Sequence, residues 1–572
     1  MQKNNSKKVR FNGFHGIDVR KSKNGETSIY DINNFRISDN GALERRCGYK
    51  HIASNIQNIR DIWCGMLNGK FTCMYLAYDC VYSYDVQTGI SDFVLLTNTS
   101  EGPTQFFLYK DVLFMSDTKG IYRITRTQSA YPTGYVPLYG KDWPTTFYGE
   151  VNEPLNLLNS YARISYLVPE DFTSRLPTKL SVQNVISVYK NGSLVNSEDY
   201  YYDDNNKAIS VANLKAGDRL TATVRFKTKF SESKLFNMPY VSTFSAANNS
   251  RLLFWSPNES VVFPSAYVSP ASLKESEAQF PDCTDLYFPE GSEFSVGGGS
   301  CNVRGMARHY DRLLIFTEKE AWMANTDLSE TKDFPLMNIN TSVGCASQFG
   351  VVTWKNSPFT VGKKDILQWT SDTDKLDECN AFSISLPINE RISPDFFKNA
   401  MLFKDEYRNE LWFNNPEVSG DVWIYNINKK AWVRFSEIYA NKFFDFNGDI
   451  GFIYGKHIYV FTKDDYIDRT EATEKPVEAT LTTGRLNFDS SESKKLSAFS
   501  LDTKVQYSQS VSLTFLTDQN EEISTSIAAS SPRRLKLKRL HSGRFFFLEK
   551  VVLDATQAPG NHLIHSLEIY VR

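Results

Sequence analysis

The chain has 572 residues, of which 14% are aromatic, including 40 Phe and 30 Tyr. This length predicts several domains or one large repeat assembly, and the aromatic content favours strands over helices. Lys and Arg total 64 against 66 Asp and Glu, which excludes both a general basic field for nucleic acid and the strong acidity of many disordered chains.

The sequence contains no sign of a membrane segment or a metal centre. No apolar run approaches the ~18 residues of a membrane helix, and no apolar stretch follows the basic start of the chain, as it would in a secretory signal. The eight cysteines are dispersed without a C-x-x-C pair. This pattern predicts synthesis in a reducing cytoplasm and no bound metal.

Residues 1–50 are predicted to form an N-terminal arm. The arm carries one strand-like piece at residues 30–37, followed by a turn at Asp39-Asn40-Gly41. Arg45 and Arg46 come next, and since arginine is rarely buried we expect them to flank a solvated turn. The alternative is a contact with a neighbouring subunit.

Short apolar strands, paired across turns of about four residues, recur along residues 51–149 and 231–476. The clearest copy spans residues 408–435, where Trp412, Trp423 and Trp432 each sit in a separate strand. Hairpins of this kind bury their faces by stacking side by side. The uneven spacing therefore predicts an all-β, irregular β-propeller with roughly six to eight blades, in which these tryptophans pack within a blade.

Two further β domains are predicted beside the propeller. Residues 150–230 read as an inserted β-sandwich, with an Asn191-Gly192 hairpin turn. Residues 471–478 are polar and contain a proline, which is typical of a linker. Residues 477–572 are rich in strand patterns and form a C-terminal β module, which we expect to be removable without unfolding the propeller.

No catalytic, cofactor-binding or metal-binding motif appears, so we expect no enzyme activity and no cofactor. One basic strand stands out, with Leu535 and Leu537 predicted on one face and alternating cations on the other. One interpretation is an edge strand that its charge keeps soluble. The other is a surface that faces DNA phosphates or a partner. The basic residues are Arg533, Arg534, Lys536, Lys538 and Arg539.

The arrangement of these pieces resembles the tail hub or nozzle proteins of short-tailed bacteriophages, including those named packaged-DNA stabilisation proteins. The resemblance covers most of the chain, through shared pattern and without a diagnostic motif. It is carried by the arm at residues 30–50 and the hairpins at 312–323 and 422–435, by Gly344-Cys345-Ala346-Ser347, and by the strands at 545–548 and 567–570.

The resemblance implies a virion structural protein of the phage tail, without enzyme activity. It implies a ring, commonly of six copies, that continues the DNA channel and helps to retain packaged DNA until ejection. Its partners would be other copies of itself, upstream portal-adaptor or tail rings, tail fibres, and packaged DNA through non-specific contact. Two alternatives remain open: an adhesin that stacks host glycans on Tyr200, Tyr201 or Tyr202, and a propeller glycoside hydrolase, which needs paired carboxylates.

Overall fold

The computed structural model describes most of the chain and consists almost entirely of strands. Among the described residues there are 47 strands and only three short α-helices. The described residues are 7–22, 28–97, 101–124, 134–139, 153–170, 175–178, 180–227, 234–246, 249–281, 283–324, 335–370, 380–505, 509–529, 534–556 and 560–572.

The N-terminal segment forms five strands and one short helix. Its last strand crosses residue 50, the boundary that the sequence pattern predicts for the arm. The elements are β1 (Lys7–Asn12), α1 (Val19–Ser22), β2 (Ile29–Asn33), β3 (Phe35–Ile37), β4 (Leu43–Arg45) and β5 (Tyr49–Ser54).

Two blades come before the inserted domain. Blade 1 contains β6 (Ile59–Leu67), β7 (Lys70–Ala77), β8 (Cys80–Tyr84) and β9 (Ser91–Leu96). The described part of blade 2 contains β10 (Gln105–Tyr109), β11 (Val112–Ser116) and β12 (Ile121–Arg123). In both blades the strands are antiparallel neighbours in chain order.

The inserted domain has two sheets around its own apolar core. One sheet has the order β13-β19-β15-β16 and the other β14-β18-β17. Asn191 and Gly192 have positive φ angles of 48° and 84°, as a tight hairpin turn requires. The strands are β13 (Tyr161–Leu167), β14 (Arg175–Pro177), β15 (Val182–Lys190), β16 (Ser193–Leu194), β17 (Tyr200–Asp203), β18 (Ala208–Val211) and β19 (Arg219–Phe226).

Five more four-stranded blades follow the insertion. Blade 3 contains β20 (Tyr240–Ala246), β21 (Asn249–Trp255), β22 (Val261–Pro264) and β23 (Phe294–Ser295), with α2 (Pro270–Glu277) before β23. Blade 4 contains β24 (Val303–His309), β25 (Arg312–Thr317), β26 (Ala321–Ala324) and β27 (Leu336–Asn340). Blade 5 contains β28 (Val351–Trp354), β29 (Ser357–Val361), β30 (Ile366–Trp369) and β31 (Ala381–Ser383).

Blade 6 follows α3 (Pro394–Lys398) and contains β32 (Met401–Asp405), β33 (Glu410–Asn414), β34 (Val422–Asn426) and β35 (Ala431–Phe435). Blade 7 contains β36 (Lys442–Phe446), β37 (Asp449–Tyr454) and β38 (His457–Phe461). Its fourth strand is β5 of the N-terminal segment, which pairs with β38. The first strands of neighbouring blades contact one another in the order β6, β10, β20, β24, β28, β32, β36 and back to β6. The chain is therefore a closed seven-bladed propeller, within the predicted range.

The tryptophans of blade 6 are buried, as predicted: Trp412 is 0% exposed, Trp423 3% and Trp432 1%. Trp412 contacts Phe443 and Phe461 of blade 7 edge to face. These rings therefore join neighbouring blades as well as filling one.

The C-terminal module is built from both ends of the chain. One sheet has the order β3-β4-β47-β42-β45 with β1 paired to β47, and the other continues blade 6 as β35-β2-β41-β46-β43-β44. Phe499 and Phe515 pack between the two sheets, with ring centroids 5.8 Å apart. The C-terminal strands of the module are β41 (Thr480–Thr483), β42 (Leu496–Val505), β43 (Gln509–Thr517), β44 (Glu522–Ala529), β45 (Arg534–Arg539), β46 (Leu548–Asp554) and β47 (His562–Val571). Two strands that precede them, β39 (Ile467–Arg469) and β40 (Glu474–Pro476), instead extend the sheet of blade 7 beyond β5.

The structure departs from three predictions for these regions. The module shares one apolar core with blades 5 to 7, so removing residues 477–572 would uncover the propeller's own interior. Residues 474–476, predicted as linker, form the exposed strand β40. Arg45 and Arg46, predicted to flank a solvated turn, are only 1% and 2% exposed. Arg46 forms a bidentate ion pair with Asp468 at 2.7 and 2.8 Å, and Arg45 donates to the Val477 carbonyl.

Candidate functional site

The seven inner strands converge on a cavity of about 480 Å³ at the propeller axis. Each blade contributes at least one residue from its first strand to the wall, because every first strand faces the axis. One lining residue from each blade, in order, is Asp61, Gln105, Tyr240, Met306, Val351, Phe403 and Lys442.

Asp61 connects three successive blades at this cavity and is 1% exposed. Its carboxylate accepts the backbone N–H of Ile62 at 2.8 Å and that of Phe106, on blade 2, at 3.0 Å. The Lys442 ammonium of blade 7 completes an ion pair with it. The carboxylate thus joins the first blade to the second and to the last, across the point where the ring closes.

Blades 2 and 3 are joined beside it by Gln105. Its amide donates to the Val241 carbonyl at 2.9 Å and accepts from the Val241 N–H at 2.8 Å. Tyr240 stacks on Trp255 and contacts Phe349 edge to face. Burial, and then the charge of Asp61, raise the pKa of Tyr240, so this phenol stays protonated and neutral.

Two charged groups that line the cavity, Asp61 and Lys442, are already paired with each other. Asp61 is the only carboxylate among its described lining residues, whereas glycoside hydrolysis uses two separated carboxyl groups. Its charge is already balanced by Lys442 and by two backbone donors. Nor does any group of three or more His, Cys, Asp or Glu suited to a metal ion occur in the described part of the chain.

The predicted basic strand is β45, and it lies at the edge of its sheet. Leu535 and Leu537 are each 64% exposed, and the register puts Lys536 and Lys538 opposite Leu501 and Phe499, on the core-facing side. Both lysines reach across the open end of the sandwich to β44: Lys538 Nζ donates to the Ser526 carbonyl at 2.6 Å, and Lys536 Nζ donates to that of Ala528.

The rest of the basic run divides between solvent and undescribed chain. Arg539 is exposed, and Arg534 starts the strand. Arg533 lies outside the described residues. The alternation of leucines and cations is confirmed, but the leucines are the side that faces outward. Whether the strand meets DNA or a partner stays a prediction.

A second exposed apolar edge, on blade 1, was missed by the sequence analysis. Phe93 and Leu96 of β9 are 55% and 56% exposed, and Ile90 just before the strand is 57% exposed. β9 is the outermost strand of its sheet, so its free backbone edge lies beside these side chains. The run of apolar residues in DFVLL was the available signal, but an outer strand cannot be told from an inner one before the blades are placed.

The three tyrosines considered for glycan stacking do not share a surface. Tyr201 is 62% exposed, whereas Tyr200 and Tyr202 pack against the core of the inserted domain. A single exposed ring offers one stacking face, so the arrangement gives the adhesin interpretation no particular support.

Comparison with known proteins gives no family for this chain. No protein-family profile matches it, and no curated protein matches it. Among solved structures, it is similar to the AfRom2 CNH domain (TM-score 0.35, 6% identity, 73% of this chain and 99% of that one) and to a mitotic checkpoint complex chain (TM-score 0.32, 9% identity, 77% and 97%). The extracellular domain of a putative one-component system from B. thetaiotaomicron matches with a TM-score of 0.27 at 8% identity, covering 90% of this chain and 80% of that one.

These overall similarities are too low to carry any argument about the fold or the activity of this chain. No helix in the described ranges is long and apolar enough to cross a membrane.

Proposed function

We propose that this protein is a structural subunit of a short-tailed phage tail, assembling as a closed ring that continues the DNA channel and retains packaged DNA until ejection. The observation that carries the proposal is the apolar edge of blade 1, formed by Ile90, Phe93 and Leu96. An exposed apolar edge strand is a liability unless another chain covers it. The sequence resemblance to tail nozzle proteins, which form rings, indicates that another copy of this chain covers the edge.

A ring needs two different surfaces on each copy, because its contacts are heterologous. The exposed leucines of β45, Leu535 and Leu537, form a second apolar edge on a different part of the molecule. We propose that the blade 1 edge of one copy and the β45 edge of the next take part in the ring contact. Packaged DNA then meets the ring through non-specific contacts, since a channel that releases DNA cannot bind it tightly.

The axial cavity supports a mechanical role over a catalytic one. Its single carboxylate is committed to joining blades 7, 1 and 2, which stiffens the propeller where the chain closes on itself. A rigid wall is what a ring under the pressure of packaged DNA requires.

The test is the assembly state of the purified chain, by native mass spectrometry and negative-stain electron microscopy. We expect closed rings for the wild type and loss of rings for Phe93→Glu and Leu537→Glu. Phe382→Glu is the matched control, since Phe382 is 47% exposed on the outer strand of blade 5 and should leave rings intact. A wild-type chain that stays monomeric at high concentration, with adapter proteins present, would overturn the proposal.

A further inference from the structure

Two cysteines of blade 1 face each other across neighbouring strands. Cys64 on β6 and Cys73 on β7 are direct partners in the antiparallel register. Their sulfur atoms are 2.8 Å apart, and both are free thiols in this structure. The hairpin thus brings two reduced cysteine side chains into direct contact.

The turn that joins the two strands explains why this pair is suited to a bond. Asn68 and Gly69 have φ angles of 51° and 74°, which is the two-residue turn that closes a hairpin with a hydrogen-bonded pair, here Leu67 and Lys70. Hydrogen-bonded and non-hydrogen-bonded pairs alternate from there. Counting back three pairs makes Cys64 and Cys73 a non-hydrogen-bonded pair.

Non-hydrogen-bonded pairs are the closer kind, with Cα atoms about 4.5 Å apart. That spacing falls inside the range of ~4.4–6.8 Å that a disulfide spans without moving the backbone. The hairpin therefore presents both thiols at bonding distance before any bond exists.

We propose that Cys64 and Cys73 are a redox-active pair, which forms a cross-strand disulfide once the protein leaves a reducing compartment. Cys73 is 0% exposed, whereas Cys64 is half-buried, so Cys64 is the thiol that a small oxidant reaches first. The inference stands on the hairpin alone and does not depend on the proposed ring.

The oxidant is a low-molecular-weight disulfide, for example oxidised glutathione. The Cys64 thiolate attacks one of its sulfur atoms and expels the first small thiolate, leaving a mixed disulfide. The Cys73 thiolate then attacks Cys64 Sγ, forms the Sγ–Sγ bond and expels the second. The two small thiolates take up the two protons that the cysteines lose, and two electrons pass from the cysteine pair to the oxidant.

The position of the pair gives the bond a structural purpose. Cys73 belongs to an apolar cluster that joins blade 1 to blade 7 through Phe444 and Ile453, and Cys64 packs against the same cluster. This is the seam where the propeller closes. A disulfide between β6 and β7 cross-links the hairpin at this seam. It therefore stabilises the closed propeller after the protein has left the reducing compartment.

The test compares one protein in two redox states. The full-length chain is equilibrated with oxidised or reduced glutathione, then denatured and alkylated, and its alkylated cysteines are counted by mass spectrometry. We expect two fewer alkylated cysteines after oxidation, a cross-linked peptide that joins Cys64 to Cys73, and a melting temperature higher by roughly 2 °C that reductant reverses.

Two variants make the result specific. Cys64→Ser should abolish both the thiol loss and the thermal shift, whereas Cys80→Ser, a half-buried cysteine of β8 in the same blade, should leave both intact. An unchanged thiol count in oxidised wild-type protein, or a disulfide that joins other cysteines, would overturn the inference.

Discussion

Replacing Asp61 by alanine should weaken the propeller at the point where it closes. The carboxylate is 1% exposed and receives the Phe106 N–H at 3.0 Å, so its removal leaves a buried donor without a partner. An unsatisfied buried backbone group costs about 1–3 kcal/mol. The Lys442 side chain is 39% exposed, so its ammonium can return to water and the lost ion pair adds at most about 1 kcal/mol. We therefore expect Asp61→Ala to lower the free energy of unfolding by about 1–4 kcal/mol.

Two other variants separate the contribution of the ion pair from that of the backbone hydrogen bonds. Lys442→Met leaves both backbone donors on Asp61 but leaves its buried carboxylate without a cation, so we expect a cost of about 1–3 kcal/mol. Asp311→Ala removes an exposed carboxylate at the turn between β24 and β25 and should stay within about 0.5 kcal/mol of wild type.

Chemical denaturation followed by tryptophan fluorescence measures the three values, and hydrogen exchange reports the Phe106 amide directly. In Asp61→Ala, the peptide containing Phe106 should lose protection while the inserted domain keeps its own. If Asp61→Ala matches Asp311→Ala in stability and the Phe106 amide stays protected, then the carboxylate does not join the blades and the reasoning fails.

Three more predictions concern the C-terminal module. Burial, and then the charge of Arg45, lower the pKa of His562 from 6.5 to about 4. The neutral imidazole therefore contributes its full share to the free energy of unfolding above pH 6.5, and this contribution falls as the pH drops toward 4. By pH 5 the loss is roughly 2 kcal/mol, and in denaturation curves His562→Gln should reduce this dependence on pH. The double variant Lys536→Met and Lys538→Met should cost about 1 kcal/mol by removing the bonds to β44, whereas a DNA-facing strand would instead keep its stability and lose duplex binding in a mobility-shift assay. Deleting residues 477–572 should give insoluble chain, measured by soluble yield and circular dichroism, because it uncovers the core shared with blades 5 to 7.

Local patterns were enough to predict the repeated hairpins. Strand pairs such as Glu410–Asn414 and Val422–Asn426 are short runs rich in aromatic and apolar residues between polar turns, and the structure pairs them in register. The Asn191-Gly192 turn was equally readable, since both residues accept the positive φ that a tight hairpin imposes. The conformation of each of these features depends on residues that are close together in the sequence.

The features that were predicted wrongly depend on residues far apart in the chain. Arg46 is buried because Asp468, 422 positions later, neutralises it, and no local pattern contains that partner. The N-terminal segment was predicted to be an arm with one strand-like piece; β1 in fact pairs with β47 at the opposite end of the chain. The axial cavity was invisible for the same reason, as its wall exists only after seven blades close.

The joining of both chain ends in one module bears on how a ring could form. A heterologous contact relates each copy to the next by a fixed rotation. Repeated copies close into a ring if these rotations add up to a full turn, and otherwise they form an open filament. That angle is set by the geometry between the two contacting surfaces on one copy. Here the β45 edge belongs to a module whose core continues into blades 5 to 7, and the β9 edge belongs to blade 1, which Asp61 and the apolar seam hold to blade 7. The shared apolar core and the Asp61–Lys442 ion pair thus connect one surface to the other. In the proposed ring, the fold itself would therefore set the angle between neighbouring copies and, with it, their number.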